Sequence, residues 1–364
     1  MDSTRAAERT DFIAEAGWGD AQVQPFPGDA STRRYFRLTR GGETAILMDA
    51  PAKAESAACP PDATPEERAT LGYNALARLA GPNLTAFTGL ASELTARGFS
   101  APRILAADMG RGFLLLEDLG DRLFVHAIAE GENEQALYEH AIDTLAAIYR
   151  SSFPDRLSYS GAEWPLLDYD APALGAETGL FLDWYAKHRA GTVSDAARAE
   201  WEAIWTDLFG ALDVHASGPA LRDYHAENLL WLPDRDGPAR VGLLDFQDAL
   251  FAHPAYDLVS LIEDARRDVD PALAAPLKRR FMEKAALSDA EAFDTAYAVL
   301  GAQRNAKILG IFIRLSERDG KPKYLSFLPR VARHFVNDLA HPALAPLKRW
   351  TEAHAPAVFE EAKR

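Results

Sequence analysis

A short strand-rich island inside a long helical stretch constrains this chain more than any other feature. From Gly120 onward the apolar residues recur at helical spacing, as in 134–149, where Leu137, Ile142, Leu145 and Ile148 line one face. Residues 178–189, 195–215, 271–286, 289–315 and 324–339 read the same way. The exception is 229–246, where two apolar runs, 229–232 and 241–244, flank a Pro-Asp-Arg-Asp-Gly-Pro turn. Antiparallel pairing about Asp236-Gly237 sets Asn228, before the first strand, opposite Asp245, after the second. Asp223, five residues upstream of Asn228, lies on the loop leading into the same end.

The first 120 residues alternate differently. Residues 7–16 read as a helix ended by Gly17, and 23–26, 35–39 and 44–48 as strands, the last two joined at Gly41-Gly42. A Pro-rich loop over 59–65 precedes helices at 70–79 and 86–97, the second closed by Gly98. Two apolar runs, 103–106 and 112–116, follow as strands. The pattern predicts an α+β architecture: a small antiparallel-sheet N-lobe over 1–119 and a larger, mainly helical C-lobe over 120–364. A length of 364 residues, 48% hydrophobic, is enough for two domains.

Charge narrows the partners. Fifty-four Asp and Glu against 39 Lys and Arg give a net charge of -15, which argues against nucleic acid as the main partner. Any phosphate site must therefore be local. The single cysteine, Cys59, excludes an internal disulfide and multi-cysteine metal sites. No apolar leader precedes Asp11, and the greasiest segment, 298–315, is broken by Arg304, Lys307 and Arg314, so no membrane span is expected. A cytoplasmic protein is the expectation.

Asp223, Asn228 and Asp245 are oxygen donors with no His or Cys among them. Mg²⁺ is held by one or two such groups plus phosphates and water, and a carboxylate left out of the metal shell can accept a hydroxyl proton. Asp-x-x-x-x-Asn occurs by chance in most proteins of this size, and an Asp after a strand is often a turn residue. Only the combination is specific.

Asp223-Tyr-His-Ala-Glu-Asn228, Leu243-Leu-Asp245-Phe-Gln-Asp248 and His253-Pro-Ala-Tyr-Asp257-Leu together resemble the aminoglycoside phosphotransferase-like kinases. The resemblance covers nearly the whole chain and implies a protein-kinase-like two-lobed fold using ATP and Mg²⁺. By motif position it makes Asp223 the catalytic base, Asn228 and Asp245 the Mg²⁺ ligands, and Asp257 a structural brace of the catalytic loop. His225 matches the family's second His and reads as a hydrogen-bonded loop residue. Leu221 and Arg222 depart from the family's His-Gly.

In the N-lobe the resemblance implies a nucleotide-phosphate loop at Gly28, with Ser31, Thr32, Arg33 and Arg34 as donors; taken alone, the segment is a hairpin with a basic edge. Residues 114–120, including Glu117 and Leu119, fit the adenine-binding hinge. Kinases of this fold carry a Lys on the third strand, where this chain has Met48. Arg34, Arg37 or Lys53 are the candidate substitutes, and Glu93 the candidate helix acid. No Walker loop is present.

Five longer segments, including 112–121, 181–185, 221–231 and 303–315, are similar to the anomeric N-acetylmuramate/N-acetylglucosamine kinases of bacterial cell-wall recycling. That resemblance implies phosphoryl transfer to the C1 hydroxyl of an amino sugar. Arg304 and Arg314, with Lys307 on the same helix, are candidate partners for a substrate carboxylate, and Trp184 and Tyr185 for a sugar face. Their ordinary readings are a solvated helix edge and a core. A kinase for an aminoglycoside, choline or homoserine, or a nucleotide-binding pseudokinase, is the alternative.

Overall fold

The computed structural model describes residues 3–27, 33–51, 58–212 and 217–364. The expected Gly28, Ser31, Thr32 and Lys53 lie outside the described residues. Grouped by packing, the chain forms two compact units that interleave along the sequence. One contains residues 1–144, 153–166 and 227–248, the other 145–152, 167–226 and 249–364.

The first unit is built on a five-stranded antiparallel sheet of β1 (Gln22–Pro25), β2 (Arg34–Arg40), β3 (Glu43–Asp49), β4 (Ile104–Asp108) and β5 (Phe113–Glu117). Its order is β1-β2-β3-β5-β4. Gly41 and Gly42, with φ of 53° and 88°, make the two-residue turn between β2 and β3, where a side chain would be strained. Phe36, Leu38, Leu47, Phe113 and Leu115 pack against Phe12 and Ile13 of the helix Ser3–Glu15. Arg5 crosses this layer with its guanidinium 3.8 Å from the Phe113 ring centroid and its Nε donating to Asp49 at 2.8 Å.

The same unit holds the helix Leu84–Ala96, a hairpin of β6 (Arg156–Tyr159) and β7 (Ala162–Pro165), and the island hairpin. Its strands are β9 (Leu229–Trp231) and β10 (Val241–Leu243), joined through a 3₁₀ turn at Gly237–Arg240. The expected helix over 70–79 is two short ones, Pro65–Leu71 and Tyr73–Leu76, broken at Gly72 with φ 98°. A Thr64–Glu67 capping box starts the first earlier than expected.

The second unit is mainly helical. Ala290–Glu317 is its long central helix, with Ala171–Leu180, Ala255–Ile262 and Leu328–Asp338 among its neighbours. A short antiparallel pair joins β8 (Gly218–Ala220), just before the Asp223 loop, to β11 (Leu250–Ala252), after it. Aromatic rings form the core, with Phe181 stacked on Trp201 at 5.0 Å and Trp350 tilted against Trp201 at 4.5 Å. The expected helix over 178–189 contains a π-helical turn at Phe181–Ala186. Among the described residues no helix is long and apolar enough to cross a membrane.

Candidate active site

In the first unit a cavity of about 360 Å³ is walled by Ile46, Phe87, Leu116, Leu230 and Leu244. Glu117, Asp118, Leu119 and Gly120 also line it, together with Asn228 and Asp245. Apolar walls with a few polar groups suit a planar heterocycle attached to a charged tail.

The two oxygen donors reach the cavity by a route the expected register does not give. Leu229 pairs with Leu243, so Asn228 lies opposite Leu244, whose amide donates to the Asn228 carbonyl at 3.0 Å. Asp245 is one residue past that pair. Its backbone is left-handed, φ 57°, uncommon for a residue with a β-carbon, and this kink takes the chain out of the strand as the carboxylate meets the cavity. Gln247 Nε2 donates to Asp245 Oδ1 at 2.8 Å.

Among the described residues there is no cluster of three or more His, Cys, Asp or Glu that could hold a metal. One amide oxygen and one carboxylate fit Mg²⁺ only where phosphate oxygens and water complete the shell, which is that ion's ordinary habit.

Of the expected nucleotide residues, Glu117 and Leu119 line the cavity. The Glu117 carboxylate is itself occupied: Arg103 Nε donates to it at 3.1 Å and Arg235 Nη2 at 2.8 Å. Burial would raise its pKa, but these arginines hold it below the usual range. Arg33 donates to the Gly81 carbonyl at 3.2 Å, and Arg34 is exposed on β2; neither lines the cavity.

Met48 is fully buried. Of the substitutes considered, Arg37 lines the cavity, bound to Asp118 by its Nε at 2.8 Å and to Asp121 by its Nη2 at 2.6 Å. Glu93, expected as the helix acid, instead pairs with Arg97 one turn on.

The second unit presents Asp223, with Arg222 before it in the left-handed region at φ 70°. Asp257, in the first turn of Ala255–Ile262, accepts the Leu221 and Arg222 amides at 2.6 and 2.9 Å and so holds the loop. Burial pushes Asp257 up to about 7 against the pull of these two donors. Burial would also raise Asp223, yet the nearby charges of Lys307, Arg304 and Arg222 keep it below the usual carboxylate range. His225, buried, is pushed down to about 4 by burial and by Arg266, whose Nη1 lies 3.0 Å from its Nε2.

Arg304 is buried and donates to Ser260 Oγ at 2.8 Å, while its Nε and Nη1 have no hydrogen-bond partner among the described residues. Arg314, half-buried, lies ten residues on, about 15 Å along the helix. Tyr185 does not offer a sugar face: it is fully buried and stacks on Phe181, since the π turn directs it into the aromatic core. Trp184, beside it, is half-buried.

Sequence reasoning missed Glu177. It is fully buried and accepts from the Tyr169 hydroxyl, Arg222 Nη2, Gln303 Nε2 at 3.0 Å and Lys307 Nζ at 2.9 Å. No pattern around Glu177 marks it, because its partners are scattered from 169 to 307.

A family model described as the phosphotransferase enzyme family matches residues 22–293. An N-acetylmuramate/N-acetylglucosamine kinase of Caulobacter vibrioides is 48% identical over 356 residues, covering 98% of each chain. A choline/ethanolamine kinase family protein from Mesorhizobium loti, 16% identical, superposes with a TM-score of 0.56 over 95% of this chain and 97% of its own. The crystal structure of an ADP-bound aminoglycoside phosphotransferase, 12% identical, does so with a TM-score of 0.52 over 92% and 99%. The small antiparallel sheet and helical remainder thus form the protein-kinase-like α+β fold of these proteins. The family model covers residues 22–293 and the Caulobacter kinase aligns over nearly the whole length, so the chain belongs to the phosphotransferase enzyme family.

Proposed function

We propose that this chain transfers the γ-phosphoryl group of ATP to the C1 hydroxyl of N-acetylmuramate and N-acetylglucosamine, giving sugar 1-phosphates for cell-wall recycling in the cytoplasm. The observation that carries the reading is the 48% identity, over 98% of the chain, to an N-acetylmuramate/N-acetylglucosamine kinase, with Asp223 as the base on a loop held by the Leu221 and Arg222 amides to Asp257. A base must be unprotonated to work, and an anomeric hydroxyl is more acidic than an ordinary alcohol. The Asp223 carboxylate takes the C1 hydroxyl proton as that oxygen bonds to the γ-phosphorus, and the bond to the β-phosphate oxygen breaks to release ADP.

In this reading residues 1–119 are the nucleotide lobe and 120–364 carry the catalytic loop and the sugar site. The cavity takes the adenine against the backbone of Glu117–Leu119, and Arg37 stands in for the absent strand Lys. Gly28, Ser31, Thr32, Arg33 and Arg34 form the phosphate loop. Asn228 and Asp245 hold Mg²⁺, which neutralises the triphosphate charge when bound. Arg304, with donors to spare, receives the lactyl carboxylate of N-acetylmuramate, and Arg314 and Trp184 border the sugar.

Incubation with γ-labelled ATP and a panel of N-acetyl sugars, aminoglycosides, choline and homoserine tests the reading. Label on the amino sugars, with NMR coupling between phosphorus and the C1 proton, is expected. Label on another alcohol, or on another carbon, overturns it. Asp223→Ala should lower turnover by roughly 10²–10⁴-fold.

A further inference from the structure

We infer that Glu177 and Lys307 form the positioning element of this transfer, with the buried Glu177 carboxylate fixing the Lys307 ammonium beside Asp223. The inference rests on the reading of Asp223 as the base.

Glu177 sits in the helix Ala171–Leu180 with no exposure. A buried carboxylate is costly unless paired, and this one has two cations, Arg222 and Lys307, besides the Tyr169 and Gln303 donors. One negative charge against two positive leaves an excess. Asp223 supplies the missing negative charge: it directly follows Arg222, whose Nη2 reaches the same Glu177 Oε1 as Lys307 Nζ, and the charges of Lys307 and Arg222 both lower its pKa.

Lys307 also donates to the Tyr256 hydroxyl at 3.3 Å, so its ammonium is tied on two sides. It nevertheless keeps 15% of its side chain exposed, enough to meet a ligand. Arg304, His225 and Asp257 are the other titratable or charged groups facing Asp223. With Asp223 ionised, the group Arg222, Lys307, Glu177 and Asp223 is neutral. Once Asp223 takes a proton it becomes net positive, which favours an anionic product nearby and then release of that proton.

The test is kcat/KM against pH for the wild type, Lys307→Met, Lys307→Arg, Glu177→Gln, Asp223→Asn and the Glu177→Gln/Lys307→Met double variant, with folding followed by circular dichroism. Lys307→Met is expected to move the acid limb upward by about 1–3 pH units, because burial of Asp223 is then less opposed. It should also lower kcat roughly 10²-fold, whereas Lys307→Arg keeps the limb in place. Glu177→Gln should cost much less in the Lys307→Met background than alone.

A wild-type acid limb and kcat/KM in Lys307→Met, or equal costs of Glu177→Gln in both backgrounds, overturns the inference. Should Glu177→Gln not fold, the Lys307 pair of variants still decides. Near-normal activity of Asp223→Asn would instead remove the base, a failure of the underlying reading that the other variants do not mimic.

Discussion

The Phe246 ring lies on that of Phe87, centroids 5.0 Å apart and planes 14° from parallel. Phe246 is the residue after Asp245, and Phe87 belongs to the helix Leu84–Ala96 that walls the cavity. Two residues further, Asp248 accepts the Ala80 amide at 2.6 Å. The kinked segment that carries the Asp245 carboxylate is therefore anchored to the region just before and within that helix.

Phe246→Ala should remove the anchor. Loss of a fully buried ring costs about 3–5 kcal/mol, and the left-handed turn at Asp245 loses its support. We expect a lower denaturation midpoint together with weaker Mg²⁺-nucleotide binding by calorimetric titration, both partly restored by Phe246→Leu. An Ala variant as stable as the wild type would contradict this account.

Asn228→Ala and Asp245→Ala should each raise the Mg²⁺ concentration needed for half-maximal activity, Asp245→Ala more because it removes a charge. A tenfold change or more is expected, roughly 1.4 kcal/mol of lost metal-nucleotide interaction. Titrating Mg²⁺ at fixed ATP measures it, and an unchanged requirement would remove these residues from the metal shell.

A pH dependence of stability follows from a second buried pair. Burial pushes Glu263 up to about 7, and burial together with Glu263 raises Asp338 well above its ordinary value. Asn305 Nδ2 donates to both, at 2.7 and 3.0 Å. The fold binds protons here that the unfolded chain has released, so the Glu263 stabilisation is complete below the unfolded value of about 4 and is lost as pH rises through about 7, and the Asp338 contribution has the same sign. Asp257, also raised to about 7, has the same sign. His225 and His334, lowered to about 4, change stability only below about pH 6.5. Melting temperature should therefore fall from pH 6.5 to 8.5, and Glu263→Gln should flatten that slope.

Gly310→Ala should destabilise. A β-carbon there would stand 2.2 Å from the Leu180 carbonyl oxygen, against backbone that cannot step aside. Overpacking of this kind costs about 1–3 kcal/mol. Gly175 is the control: in the helix Ala171–Leu180 an added β-carbon meets nothing within 4 Å. Gly175→Ala should gain about 0.5–1 kcal/mol through helix propensity alone. Thermal melts of the two variants give opposite shifts.

Local chemistry made much of this legible in the chain. Gly41-Gly42 permits little other than a tight turn, and the β2–β3 hairpin is where that pair puts it. The island hairpin followed from two short apolar runs about a Pro-Gly turn, and its two oxygen donors do reach one cavity. The one-residue offset at Asn228 was not readable, because nothing in the residue type of Asp245 announces a left-handed backbone. The β6–β7 hairpin escaped notice since its strands, Arg156–Tyr159 and Ala162–Pro165, are too short to show alternation. Tyr185 is the converse error: its aromatic type suits a sugar face or a core, and only packing around the π turn decides for the core. Glu177 is a charged residue on a helix, a type that composition assigns to the surface, and its burial depends on four partners, three of them distant in sequence.

The interleaving of the two units bears on how the protein emerges from the ribosome. The sheet-bearing unit lacks its last segment until residue 248 has been synthesised, because the island hairpin belongs to it. At about 5–20 residues per second, that unit waits many seconds with strands already made and an unfinished core. Truncation at any point before residue 245 leaves it without Asp245, so neither nascent fragments nor shortened gene products of that length can offer the complete cavity.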